Sequence, residues 1–184
     1  MTAWWFPDNT VLCNFAAVDS LALLREVLDG RGRWTEAVAR EARLSARHLP
    51  PLGVIPAEGW LGEPIVIDDA REREAVERLR RAVFNGDRRH PTQHLGEAQS
   101  CVLITTRREF RGSVWITDDR SAAGYARRRG IRTLETMDLV VEAVREALLT
   151  PDDGHRLLRT MAEAGRHLHR TSSTPADLLR TRRD

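Results

Sequence analysis

The sequence predicts an α/β chain: a three-layer α/β/α domain with a central parallel sheet of about five strands. Two patterns carry this expectation. Short apolar runs at residues 3–7, 33–34, 65–67, 113–117 and 131–134 alternate with segments whose apolar residues recur at helical spacing. Repeated strand–helix units of this kind bury both faces of a parallel sheet under helices. Composition agrees, since 41% hydrophobic and 30% charged residues in a chain of 184 describe a globular domain. A chain of that size buries about 70% of its unfolded surface and needs neither disulfides nor a structural metal to fold.

Taken in order, the run AWWFP (3–7) is a strand that stops at Asp8. Residues 10–29 read as one helix, with Leu21, Leu24 and Leu28 at helix spacing and Gly30 as its stop. Thr35 is a good N-cap for a helix from Glu36 to about Arg47. Residues 48–64 hold four of the eight prolines and three of the twelve glycines, which makes them a loop or insertion, though an apolar one. Ile65–Ile67 is a strand or helix lead-in, and Asp68 or Asp69 caps a charged helix over 70–84. An Arg/His-rich loop precedes a helix from about Leu95 to Thr106. SVWIT (113–117) is the clearest strand, followed by helix 120–129, the C-cap Gly130, strand 131–134 and helix 137–149. The domain is placed at 1–149, and 150–184 is a C-terminal helix with a polar tail carrying Arg180, Arg182 and Arg183.

Several classes are excluded. No stretch approaches the roughly 18 apolar residues of a membrane span, and the N-terminus lacks the basic and apolar regions of a secretory signal. Cys13 and Cys101 are far apart in apolar surroundings, which reads as buried reduced thiols in a cytoplasmic protein. There is no G-x-S-x-G, no P-loop and no G-x-G-x-x-G. All 29 basic residues are arginine, against 27 acids, for a net charge of +2. Guanidinium offers planar bidentate donors to phosphate, so clustered arginines suit a polyanionic partner.

Reactive groups in a parallel sheet gather just past the carboxyl ends of the strands. Two strands end on acids there: AWWFP runs into Asp8, and SVWIT into Asp118 and Asp119. Thr10, Asn14 and Thr117 are nearby small polar residues able to hydrogen-bond those carboxylates. Glu97 is the polar interruption on an otherwise apolar helix, and Glu41 lies on the helix after the second strand. Converging carboxylates repel one another, and a divalent cation removes that repulsion. All-oxygen ligation suits Mg²⁺ or Mn²⁺, which activates a water and neutralises a phosphodiester. The competing reading is that these acids merely cap the helices that follow them.

The segments PDNTVLCNFA, WTEAVAREA, HLGEAQSCVLI and WITDDRSAAGYARRRGI, closed by RTLETMDLV, together resemble the PIN domain family over residues 3–148. The resemblance implies metal-dependent hydrolysis of RNA, and many bacterial members are VapC-type toxins of toxin–antitoxin pairs. By motif, Asp8 is similar to the first metal-binding aspartate, Glu41 to the acid of V-x-x-E, Glu97 to that of GEA, and Asp118 to the first acid of TDD. Asp119 adjoins the site; Asp8, Glu97 and Asp118 would hold the metal. Thr10, Asn14 and Thr117 match the small polar positions around it. Glu36 competes with Glu41, since five residues at roughly 100° each turn the two about 140° apart and only one can face the site. The implied partners are RNA, a small antitoxin protein and, for a homodimer, a second copy of the chain.

Arginine runs flank the acids: Arg80, Arg81, Arg88 and Arg89 before the Glu97 helix, Arg107, Arg108 and Arg111 after it, and Arg120 and Arg127–Arg129 after TDD. A basic rim for the phosphate backbone is expected, with Arg88, Arg89, Arg107, Arg108 and Arg120 as its contacts. His94 and Glu97 share a helical face, but a loop histidine beside a helix start is the commoner reading. His167 and His169 lack a further ligand set and read as solvated. Trp4, Trp5, Trp34 and Trp115 read as core, and Trp60 as a candidate stacking contact. Alternatives to a toxin are a non-toxic PIN nuclease in RNA processing and a catalytically silent binding module.

Overall fold

A computed structural model describes residues 3–179. Its centre is a parallel sheet of β1 (Trp5–Pro7), β2 (Val114–Ile116) and β3 (Arg132–Leu134), in that order. Register is continuous across it, with Pro7 opposite Ile116 and Ile116 opposite Leu134.

The sheet has three strands where about five were expected. The two others contract to single parallel bridges, Trp5 to Gly32 and Thr35 to Ile65. The reason is local. Thr35 already accepts a hydrogen bond from the Val38 amide and starts the next helix, which leaves one rung before it. Asp69 likewise caps its helix through Arg71 and Glu72 soon after Ile65. The expected single helix over 10–29 is also two, α1 (Asn9–Ala16) and α2 (Leu21–Leu28). A turn with Asp19 in the left-handed region separates them.

The remaining helices are α3 (Glu36–Ser45), α4 (Ile55–Glu58), α5 (Ala70–Ala82), α6 (Leu95–Thr106), α7 (Arg120–Arg128), α8 (Thr136–Arg145) and α9 (Pro151–Glu163). Alternation along the strands divides the core into two layers. Trp5, Val114 and Ile116 face a cluster that includes Leu12 and Phe15 of α1, Leu24 of α2, Leu139 and Val140 of α8, and Leu158 and Met161 of α9. Phe6 and Trp115 face the other, with Val76 of α5, Ala98 and Leu103 of α6, and Ala122 and Ala126 of α7. Residues 48–64 are folded onto the first layer through buried Leu52, Ile55 and Leu61. Trp60 is partly buried against that layer, its indole N–H on Glu58 at 3.0 Å. Both cysteines are buried and free.

α9 lies against α8 and the 3₁₀ turn Pro175–Leu179, and Gly154 permits the approach. A Cβ there would sit 2.8 Å from Leu178, 3.0 Å from Val140 and 3.2 Å from Val144. Alanine is intrinsically the better helix former by about 1 kcal/mol, but overpacking a core costs about 1–3 kcal/mol. Gly154→Ala should therefore lower the melting temperature by a few degrees; an unchanged or raised value in calorimetry would show that the crowding is relieved.

Candidate active site

Because the strands are parallel and in register, the residues after them lie level along one edge of the sheet. The Asp8 amide donates to Ile116 O at 3.0 Å and the Thr117 amide to Leu134 O at 2.9 Å. Asp8, Thr117–Asp119 and Glu135 thus stand side by side. Helix α3 brings Glu41 to this edge, and the first turn of α6 brings Glu97.

Asp8 is 7% exposed and caps α1 by accepting from the Val11 amide at 2.8 Å. Burial pushes its carboxyl up to about 8, against hydrogen bonds from Thr117 and Val11, and the neighbouring charges of Asp118 and Glu97 push the same way. Glu41 is pushed up to about 7, first by burial and then by Glu97, while a hydrogen bond from the Gly96 amide opposes the shift. Glu97 therefore couples to the acids on either side of it. Gly96 lets the Glu41 carboxylate reach the start of α6, because a Cβ there would sit 3.2 Å from both Glu41 oxygens.

Asp118 is fully buried, and burial raises its carboxyl as well. Its Oδ2 accepts from Asn14 Nδ2 at 3.0 Å and from the Thr136 hydroxyl at 2.5 Å. Its Oδ1 accepts from the amides of Thr136 and His169, both at 3.3 Å. Helix capping after β2 falls instead to Asp119, whose Oδ1 takes the Ala122 amide at 2.8 Å. The Thr117 hydroxyl accepts from the Asp119 amide and also bonds Asp8. Asp8 combines capping with membership of the cluster; Asp118 does not cap the helix that follows its own strand but accepts the first amide of α8.

The two glutamates of α3 separate. Glu36 accepts from Gln99 Nε2 at 3.1 Å, and Glu41 faces the acidic cluster. Thr10 is half-buried in the first turn of α1 and makes no side-chain hydrogen bond to a described residue. Of the arginines, Arg107 forks onto Glu72, with its closest contact at 2.8 Å, and also reaches Val66 O. Arg88 and Arg89 are in the 85–94 loop and Arg108 is in a 3₁₀ turn, Arg108–Phe110. Arg120 donates to His169 Nε2 at 2.9 Å.

Two expectations are overturned. Arg80 is not on a basic rim: its side chain is 1% exposed, clamped by Glu77 and by the carbonyls of Asp87, His90 and Gln93. His169 is not solvated either. It lies at the site, with its amide on Asp118 and its Nδ1 2.8 Å from Glu135 Oε1.

Sequence reasoning missed Glu135, Thr136, His169 and Arg170. Glu135 follows β3 as Asp8 follows β1, and that shared position after a strand is the signal that could have found it. Burial raises the Glu135 carboxyl, but Arg170 and His169 outweigh it and hold the group below the usual glutamate range. Arg170 bridges Glu135 and Asp138, each at 2.6 Å.

The donors suit a hard divalent cation: oxygen ligands, largely buried, whose main charged neighbours at Asp8 are other carboxylates. The buried Asn14 Oδ1 also has no partner among the described residues. Yet no three acids or histidines among the described residues already stand together as a ligand set. Donor chemistry fits a cation, with Asp118 turned toward its hydrogen-bond donors.

Fold and site together define a class: a parallel α/β protein with buried carboxylates at the strand ends. The family model DUF3368, a PIN domain, matches residues 5–176, and the chain belongs to the PIN domain family. PIN domains are generally nucleases and generally use divalent metals. Searches of curated proteins and of solved structures return no match. Among the described residues no helix is long and apolar enough to cross a membrane.

Proposed function

We propose that this chain is a Mg²⁺- or Mn²⁺-dependent endoribonuclease of PIN type and the toxin of a type II toxin–antitoxin pair. The observation that carries the reading is the convergence of buried carboxylates at adjacent strand ends, Asp8 after β1 and Asp118 after β2, with Glu97 and Glu41 brought to the same edge by α6 and α3. Buried like charges of this kind raise one another's affinity for protons, and equally for a cation.

Asp8, Glu97 and Asp118 would hold the ion. The ion, once bound, supplies an activated water and neutralises charge on the phosphodiester. Glu41 and Asp119 orient the attacking water by accepting its hydrogens. Thr117 fixes Asp8, and Asn14 and Thr136 fix the direction of Asp118. Arg88 and Arg89, in the loop that leads into α6, would hold the RNA backbone, with Arg120 once it is released from His169; Arg108 follows the far end of α6 from Glu97 and would meet only a longer RNA. Arg107 is already engaged by Glu72 and contributes less. The partners in this reading are RNA, a small antitoxin that covers the basic rim or the acidic pocket, and a second copy in a homodimer, all in the cytoplasm.

The test is RNA cleavage by wild type and Asp118→Asn, with Mn²⁺ and with EDTA. Cleavage should require Mn²⁺ and fall by at least about 10³-fold in the variant, as expected when several kcal/mol of transition-state stabilisation are removed. Equal cleavage by the two proteins, or cleavage that persists in EDTA, would sink the proposal. Growth arrest on expression, relieved by the product of a short neighbouring gene, would separate a toxin from a processing nuclease.

A further inference from the structure

We infer that residues 166–171 are an autoinhibitory strap, which must withdraw from Asp118 before the acidic site can take up its cation. The inference rests on the metal-dependent reading above and adds a regulation to it.

After α9 ends, Gly165 turns in the left-handed region and the chain runs back across the strand ends. Contacts from His167, His169 and Arg170 seat it there. The His167 carbonyl accepts from Asn14 Nδ2 at 2.9 Å, and the His169 amide donates to Asp118 Oδ1 at 3.3 Å. Beside them, Arg170 Nε donates to one oxygen of Glu135 at 2.6 Å, and His169 Nδ1 lies 2.8 Å from the other. Arg170 also reaches Asp138, and Arg120 closes over the outside of His169.

The consequence for Asp118 is saturation. A carboxylate offers about four lone-pair positions. Asp118 already accepts four donors, from Asn14, the Thr136 hydroxyl, the Thr136 amide and the His169 amide. It is also wholly buried, so no lone pair is directed to an approaching ion. This accounts for the lack of a closed ligand set among the described residues, although the acids sense one another.

Asn14 shows that the closed arrangement is strained in its hydrogen bonding. Its amide nitrogen has two hydrogens but faces three acceptors, Asp118, Thr136 and His167, while its own Oδ1 has no partner among the described residues. Withdrawal of the strap frees one lone pair on Asp118 and removes the surplus acceptor on Asn14.

The strap is fixed on both sides of the gap it spans. Upstream, Leu158 and Met161 of α9 are in the core; downstream, Ser172 Oγ is 2.8 Å from His155 Nδ1 and Leu178 is fully buried. Opening is therefore an outward bulge of a few residues with its anchors kept, at the expense of the ion pairs on Glu135. Whatever binds only the open form sees its affinity reduced by the fraction open.

Two measurements on the full-length chain decide this. Hydrogen exchange on wild type, with and without saturating Mn²⁺, should show faster exchange at the 167–171 amides when the ion is bound. Mn²⁺ titration followed by electron paramagnetic resonance should show Arg170→Gln binding at least about 10-fold tighter than wild type. Exchange that slows with Mn²⁺, or equal or weaker binding by the variant, overturns the strap and makes the segment part of the metal site. No Mn²⁺ binding by either folded protein overturns the metal reading, and the strap with it. The wild-type exchange result stands even where the variant fails to fold.

Discussion

Asp8→Asn is expected to abolish RNA cleavage while making the metal-free protein more stable at pH 8. Asp8 is pushed up to about 8 from an ordinary value of 3.8, because burial and neighbouring acids disfavour its charged form. Between those values the folded state binds a proton that the unfolded state has released. Stability contributed by this group is thus complete below about pH 4 and is lost as pH rises toward 8. At roughly 1.4 kcal/mol per pH unit the penalty at pH 8 has an upper bound of roughly 5 kcal/mol, and relaxation of the site reduces it. Glu41, pushed up to about 7, adds loss in the same direction.

Asparagine keeps the cap, since it accepts the Val11 amide as aspartate does, and it carries no charge to desolvate. In EDTA the wild-type melting temperature should fall between pH 5 and pH 8, by roughly 5 °C or more, and Asp8→Asn should keep only the smaller fall due to Glu41. Mn²⁺ should restore wild type at pH 8 and leave the variant unmoved, because a ligand stabilises only the state that binds it. If melting curves in EDTA were independent of pH over that range, Asp8 would not be the strained carboxylate described here.

Arg80→Ala is expected to be the most destabilising single change outside the two apolar layers. The guanidinium is buried to 1%, forks onto Glu77 at 2.8 and 2.9 Å, and ties the carbonyls of Asp87, His90 and Gln93 into one loop. Glu77 is 38% exposed and keeps Arg81, so the cost falls on the loop, whose three carbonyls lose a buried donor: about 1–3 kcal/mol, which for a chain of this size lowers the melting temperature by several degrees. Arg80→Lys should recover little of it, since an ammonium cannot make the fork. The loop it holds leads into His94 and the first turn of α6, so Glu97 loses its placement too. Trypsin should then cut at Arg88 and Arg89 far faster in the variant than in wild type. Equal cleavage rates would mean that the loop is held by other contacts.

Each of these cases shows where a one-dimensional reading stops. Thr35, Asp69 and Gly130 were legible as caps because capping depends on neighbours within about four residues. The position of Asp8 and Asp118 at one edge of the sheet was legible because Asp8 directly follows β1 and Asp118 comes two residues after β2. Arg80 was not legible, because it is one arginine in a charged run, and only the loop folded over it makes it a clamp. The choice between Glu36 and Glu41 was open for the same kind of reason: Gln99, on another helix, engages the first and leaves the second for the cluster.

The sequence by itself determined the alternating architecture, the helix ends, the acids at the strand ends and the resemblance that assigns the family. These follow from local periodicity, capping and motif spacing, which short stretches of chain encode. The tertiary structure alone decided that two of five expected strands shrink to single bridges and that Glu135 joins the edge. It alone decided that the His169 amide meets Asp118 and that Arg170 pairs with Glu135 and Asp138. Asp118 and the His169 amide meet across 51 positions of sequence, and Asn14 and His167 across 153. No period or motif spans such separations; packing of α9 on α8 brings those ends together.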